Sequence, residues 1–142
     1  MSKIHYDRMK ILVIEDEDFT RNLICRLLRE VGVRFIGECA NGKDGLMELV
    51  RARPHLVFCD VHMEPMNGLQ FLKGVRNIKV KGVDHTAIVF LTADSSTDTV
   101  IFAKEHGVAG YLIKPVSLKQ MRDRIDFVVT NTPLLAMELM EL

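Results

Sequence analysis

The chain has 142 residues, 48% hydrophobic and 27% charged, with 19 Lys and Arg against 19 Asp and Glu. That length suits a single domain able to bury roughly two thirds of its unfolded surface. Zero net charge leaves no global field to recruit nucleic acid or an anionic membrane, and no apolar run approaches the ~20 residues of a membrane span.

The opening MSKIHYDRMK has no signal-peptide core, so residues 1–9 read as an extension ahead of a domain over 10–130. Ile11–Ile14 is an apolar run of the kind that forms a strand covered on both faces. Leu23, Ile24, Leu27, Leu28 and Val31 then recur at helical spacing, and Gly32 stands where that helix would stop. Phe35–Ala40 is more mixed and predicts a strand near an edge. After the Asn41-Gly42 turn, Leu46, Leu49 and Val50 mark a shorter helix.

Leu56–Cys59 is a second fully apolar strand, and Leu69, Leu72 and Val75 suggest the helix behind it. Ala87–Leu91 predicts the fourth strand. Ser95 or Ser96 could cap the next helix, which Gly107 would end. Tyr111–Ile113 is a short fifth strand. Ser117 with Gln120 makes a capping box for a fifth helix burying Leu118, Met121, Ile125 and Val128.

Five β-α units in strict alternation predict an α/β fold, a doubly wound five-stranded parallel sheet with helices on both faces. Pro133 breaks the last helix, and the apolar tail over 131–142 could dock, mediate a homodimer or begin a linker. The three cysteines, Cys25, Cys39 and Cys59, are odd in number and lack metal spacing. They read as reduced packing residues of a cytoplasmic protein.

In such a sheet every strand points the same way, and ligands bind beyond the carboxyl ends. The first strand delivers Glu15 and Asp16 there, the third Asp60, the fourth Thr92 and the fifth Lys114. Taken singly these are ordinary residues: a turn aspartate, a solvated helix start, a strand threonine and a surface lysine. Together they place three carboxylates at one rim, where a hard cation such as Mg2+ would relieve their repulsion. A carboxylate beside Mg2+ can attack phosphorus, with a hydroxyl and an ammonium receiving the phosphoryl oxygens. The pattern points to phosphoryl transfer onto Asp60.

The motifs ILVIEDED, VFCDVHMEPMNGLQFLK, IVFLTADSS and GYLIKPV closely resemble the receiver domain of bacterial two-component response regulators, in order and spacing. The resemblance runs from about Lys10 to Val129 and implies the flavodoxin-like strand order 2-1-3-4-5 with five helices. It implies that Asp60 accepts a phosphoryl group from a histidine kinase or histidine phosphotransfer protein. It also implies Mg2+ held by Asp16 directly, Glu15 through water, Asp60 and the backbone carbonyl of His62. Thr92 and Lys114 resemble the pair that contacts phosphoryl oxygens, and Pro115 sits where the family commonly has a cis peptide.

Tyr111 matches an aromatic switch position working with Thr92. The face of the fourth helix, fifth strand and fifth helix, roughly Ser95 to Val129, would then change its preference for a downstream target protein. His62 and Asp94 occupy the positions that flank the attacking water and tune phosphoryl lifetime; His62 could orient water, obstruct it or meet a partner. Glu64 stands where the family usually has proline, which here has moved to Pro65.

Two other readings use the same residues. A magnesium-dependent phosphatase with an aspartate nucleophile would commonly carry a second acid where this chain has His62, and would need room for a cap. A receiver that binds partners without phosphorylation would have no use for an intact Glu15, Asp16, Asp60, Thr92 and Lys114. The expected function is therefore a signalling module, catalysing only its own phosphotransfer and slow dephosphorylation. No basic stretch follows Val129, so direct DNA binding is not expected.

Overall fold

The computed structural model describes residues 3–141; residues 1–2 of the expected extension and residue 142 of the tail lie outside it. Five strands, β2 (Lys10–Ile14), β3 (Phe35–Cys39), β4 (Leu56–Cys59), β5 (Ala87–Thr92) and β6 (Gly110–Ile113), form a parallel sheet in the order β3-β2-β4-β5-β6. Numbered within the sheet alone, that is 2-1-3-4-5. The central strands β2, β4 and β5 are almost wholly buried, whereas β3 at the edge is not. Their apolar runs follow from this, because a strand with a helix on each face has no polar side.

Alternation along the strands splits the core in two. Ile11, Val13, Leu56, Phe58, Val89 and Leu91 face α1 (Asp18–Val31) and α5 (Leu118–Thr130). Leu12, Ile14, Val57, Cys59, Ile88 and Phe90 face α2 (Gly42–Ala52), α3 (Gly68–Asn77) and α4 (Thr97–Glu105). Each fully buried Leu, Ile or Phe contributes about 1.5–3 kcal/mol relative to exposure.

The helix ends follow the cap residues. Gly32 closes α1 with φ 119°, a left-handed conformation that glycine adopts freely. Asn41 accepts the Asp44 N–H to start α2, and Ser117 and Gln120 form a reciprocal capping box on α5. Ser96 is the N-cap of α4, but its hydroxyl donates to Thr99 Oγ1 at 2.8 Å rather than capping the backbone.

The helices number six among the described residues, not the five expected. Pro133–Leu139 forms α6 against α5, and Met140–Glu141 (β7) pairs antiparallel with Lys3–Ile4 (β1). A 3₁₀ turn, Tyr6–Arg8, joins β1 to the main sheet. Met9 and Leu139 are fully buried in the α1–α5 core, and the His5 N–H donates to the Leu139 carbonyl at 2.7 Å. The Tyr6 hydroxyl donates to Asp126 Oδ1 at 2.5 Å. His55 accepts the Lys10 N–H through Nδ1 at 2.9 Å and reaches Glu138 Oε1 through Nε2 at 2.8 Å. No helix among the described residues is long and apolar enough to cross a membrane.

Candidate phosphoacceptor site

The parallel ladder continues one residue past the strands and fixes the backbone of the residues at the rim. The Glu15 N–H donates to the Cys39 carbonyl at 2.9 Å, Asp60 N–H to Ile14 at 3.0 Å, and Lys114 N–H to Thr92 at 2.9 Å. Glu15, Asp60 and Lys114 therefore leave their strands from determined positions. Strand geometry delivers the chemistry.

The result is a compact carboxylate cluster. Glu15, Asp16 and Asp60 each offer a carboxylate oxygen, all lying within 4.8 Å of one another. The Lys114 ammonium donates to Asp60 Oδ2 at 3.1 Å and is also bonded to Glu15 Oε1. Asp60 Oδ1 accepts the Val61 N–H at 2.6 Å, and Glu15 Oε2 accepts the Glu17 N–H at 3.1 Å.

The electrostatics of the cluster follow from burial and crowding. Burial raises the Glu15 carboxyl above its ordinary range, and the Asp60 charge adds to this, although Lys114 and the Glu17 N–H oppose it. Burial pulls the Lys114 ammonium down, but its bonds to Glu15 and Asp60 outweigh that and hold it above its ordinary value. One ammonium faces three carboxylates. The donor set, hard oxygens around a small gap, fits a magnesium ion.

The loop after Asp60 is held by close backbone contacts. The Gly68 N–H donates to the Val61 carbonyl at 2.7 Å, and a Cβ on Gly68 would lie 2.2 Å from the Asp60 carbonyl oxygen. Only glycine lets α3 start this close to Asp60. Asn67 and Gln70 form a second capping box there, which sequence reasoning missed although Asn-x-x-Gln carries the signal. The Glu64–Pro65 and Lys114–Pro115 peptides are both cis. Glu64 lies exposed along the loop with Met63, Pro65 and Met66, outside the carboxylate cluster.

Thr92 is buried at the end of β5, and its Oγ1 accepts the Asp94 N–H at 3.3 Å. Tyr111 on β6 is half-buried, set edge-on to Phe90 with ring centroids 5.9 Å apart. Its hydroxyl donates to the Asp94 carbonyl at 2.5 Å. Burial first, then the charges of Asp94 and Asp60, push the Tyr111 phenol up to about 12.

Asp94 is the hub. Its Oδ1 accepts the Ser96 N–H at 2.8 Å, while Oδ2 accepts the Thr99 hydroxyl at 3.1 Å and meets His62 Nε2 at 2.7 Å. The Ser96 backbone bond first, then His62 and the Thr99 hydroxyl, hold the Asp94 carboxyl well below the usual carboxylate range. His62 and Asp94, read separately from the sequence, are thus bonded to each other, joining the loop after Asp60 to the loop before α4.

This fold and cluster define a class of protein. The family model of the response regulator receiver domain matches residues 11–126, and the chain belongs to that family. It is 29% identical over 126 residues to the chemotaxis protein CheY-3 of Vibrio cholerae, covering 89% of this chain and 95% of that protein. It is 30% identical to the sensory/regulatory protein RpfC of Xanthomonas campestris over 90% of this chain, but spans only 18% of RpfC. A crystal structure of Vibrio cholerae CheY4 superposes with a TM-score of 0.76 at 27% identity, over 84% of this chain and 98% of that one. The protein is a receiver domain of a two-component system, a signalling module rather than a classical enzyme, and Glu15, Asp16 and Asp60 resemble the family's phosphorylation site.

Proposed function

We propose that Asp60 accepts a phosphoryl group from a phosphohistidine on a sensor histidine kinase or a histidine phosphotransfer protein, and that the domain over 10–130 then changes its affinity for a downstream protein. A cytoplasmic setting suits this partner class. The observation that carries the reading is the convergence of Glu15, Asp16 and Asp60 on one gap with Lys114 bonded to Asp60.

An Asp60 carboxylate oxygen attacks phosphorus as the bond to the donor imidazole nitrogen breaks; with the donor's other ring nitrogen carrying a proton, the products are an acyl phosphate and a neutral histidine. Glu15, Asp16, Asp60 and the His62 backbone carbonyl would hold Mg2+, which would supply charge neutralisation for the phosphoryl oxygens. Lys114, already within 3.1 Å of Asp60 Oδ2, meets another of those oxygens. The Thr92 hydroxyl accepts from Asp94 and keeps its own hydrogen to donate to a third.

The same bonds carry the signal outward. A shift of Thr92 toward the phosphoryl group pulls on the Asp94 N–H, and the Asp94 carbonyl holds the Tyr111 hydroxyl. Tyr111 and α4 thereby feel the state of Asp60, and their movement alters the face that they form with a stationary α5. His62 and Asp94, bonded to each other, restrict water and lengthen the phosphoryl lifetime.

Intact mass after incubation with Mg2+ and acetyl phosphate tests the reading. The expected result is one phosphate-sized adduct, absent in Asp60→Ala and absent without Mg2+. An unmodified chain that also fails to bind beryllofluoride would overturn it.

A further inference from the structure

Lys114 and Arg21 both bond to Glu15, but at different atoms. Lys114 meets the carboxylate, whereas Arg21 Nη1 donates to the Glu15 backbone carbonyl at 2.8 Å. That carbonyl belongs to the peptide unit joining Glu15 to Asp16. It lies beyond the end of β2, and no backbone N–H among the described residues donates to it. Glu15 is 1% exposed, and a buried carbonyl needs a donor. Arg21 supplies it.

The guanidinium is itself fixed. Its Nη2 donates to Asp18 Oδ1 at 2.7 Å, its Nε lies 3.4 Å from Glu38 Oε1, and the side chain is only 17% exposed. A rigid planar fork spans these three acceptors, where lysine would offer a point charge on a flexible stem. The first turn of α1, the end of β3 and the Glu15–Asp16 peptide are thus tied at one point. The Glu15 N–H is already bonded to the Cys39 carbonyl, so the backbone of Glu15 is held on both sides.

We propose that Arg21 is a positioning residue for the metal site: it fixes the backbone from which the Glu15 and Asp16 carboxylates project, and thereby makes the site prefer Mg2+ to Ca2+. The inference rests on the reading of Glu15, Asp16 and Asp60, whose oxygens lie within 4.8 Å of one another, as a Mg2+ site. Mg2+ demands short bonds in near-ideal octahedral geometry, whereas Ca2+ accepts flexible surroundings, so a held backbone favours Mg2+. Charge alone has the opposite consequence. Removing a cation beside the acidic pair would strengthen the binding of Mg2+ and Ca2+ alike. A loosened backbone weakens Mg2+ more than Ca2+.

The test is a titration of the unphosphorylated, ¹⁵N-labelled full chain with MgCl2 and with CaCl2, followed by backbone amide shifts. Arg21→Met is expected to weaken Mg2+ binding about tenfold, the usual consequence of removing a group that orients a metal ligand. Ca2+ binding is expected to change less, so the preference for Mg2+ falls. Arg21→Lys keeps the charge without the fork, and its preference is expected to lie between wild type and Arg21→Met. Unchanged or tighter Mg2+ binding by Arg21→Met would overturn the proposal, as would an equal loss for both ions, the mark of a general loss of structure. Should Arg21→Met not fold, a wild-type preference in Arg21→Lys would overturn it. A wild-type chain that binds no Mg2+ would overturn the metal-site reading itself, and the proposal with it.

Discussion

Helices α4 and α5 flank the same edge of the sheet yet are held in opposite ways. α5 buries Met121, Ile125, Val128 and Val129, closes its N-terminus with a capping box, and is braced by α1, α6 and the Tyr6–Asp126 bond. α4 buries only Thr99 and Ala103. Polar contacts hold α4 at its two ends. Asp94 gathers Ser96 and Thr99 at its start. Beyond its last turn, Arg76 donates to His106 O at 3.0 Å and Gly107 O at 3.0 Å, while also binding Asp84 O and Thr86 O.

The difference decides which helix can respond to the site. Apolar burial is indifferent to a charge arriving on Asp60, whereas directional bonds that share a residue with the site are not. Asp94 is bonded to Thr92 at the rim and to Ser96 and Thr99, so the start of α4 is tied to the end of β5 and its far end is pinned by Arg76. Under the proposed function, α4 acts as a lever with one fixed end.

Four substitutions would break or sharpen this contrast. Ile125→Ala, cutting the apolar anchor of α5, should lower unfolding stability by about 2–5 kcal/mol in chemical denaturation. A loss near zero would mean α5 is not held by burial. Arg76→Met should cost about 1–3 kcal/mol, because it strands half-buried carbonyls. It should also speed amide exchange in the last turn of α4 while leaving acetyl phosphate labelling intact; unchanged exchange would remove Arg76 as the fixed end.

Asp94→Ala should perturb stability less than Arg76→Met, yet raise exchange across Thr97–Val100 by about tenfold. Equal acceleration in α5 would contradict the division between the helices. His62→Ala removes a side chain 72% exposed, so stability should move by no more than about 0.5 kcal/mol. The Asp60 adduct should nevertheless decay several-fold faster, roughly 1 kcal/mol in barrier, as mass spectra over time would record. An unaltered decay would take His62 out of lifetime control.

Much of the framework is legible in the sequence because strong periodicities dictate it. Ile11–Ile14, Leu56–Cys59 and Ala87–Leu91 can only be buried strands in an alternating β-α chain. A parallel sheet then brings Glu15, Asp60, Thr92 and Lys114 to one rim whatever the loop details. The His62–Asp94 bond is not legible, since it joins two loops 32 residues apart in sequence. Arg76 is hidden for a different reason: carbonyl acceptors carry no sequence signature. The terminal β1–β7 pair has two residues in each strand, too short for any period, and the apolar tail could pack in several ways until α5 and α6 meet.

The most direct test of the account is amide hydrogen exchange with and without Mg2+ and beryllofluoride, the latter standing in for a phosphoryl group on Asp60. The expected result is altered protection at Tyr111 and through the first turns of α4, with Met121–Val129 in α5 unchanged. Protection that stays the same in α4, or changes equally in both helices while beryllofluoride is bound, would contradict a signal that runs from Asp60 through Thr92 and Asp94.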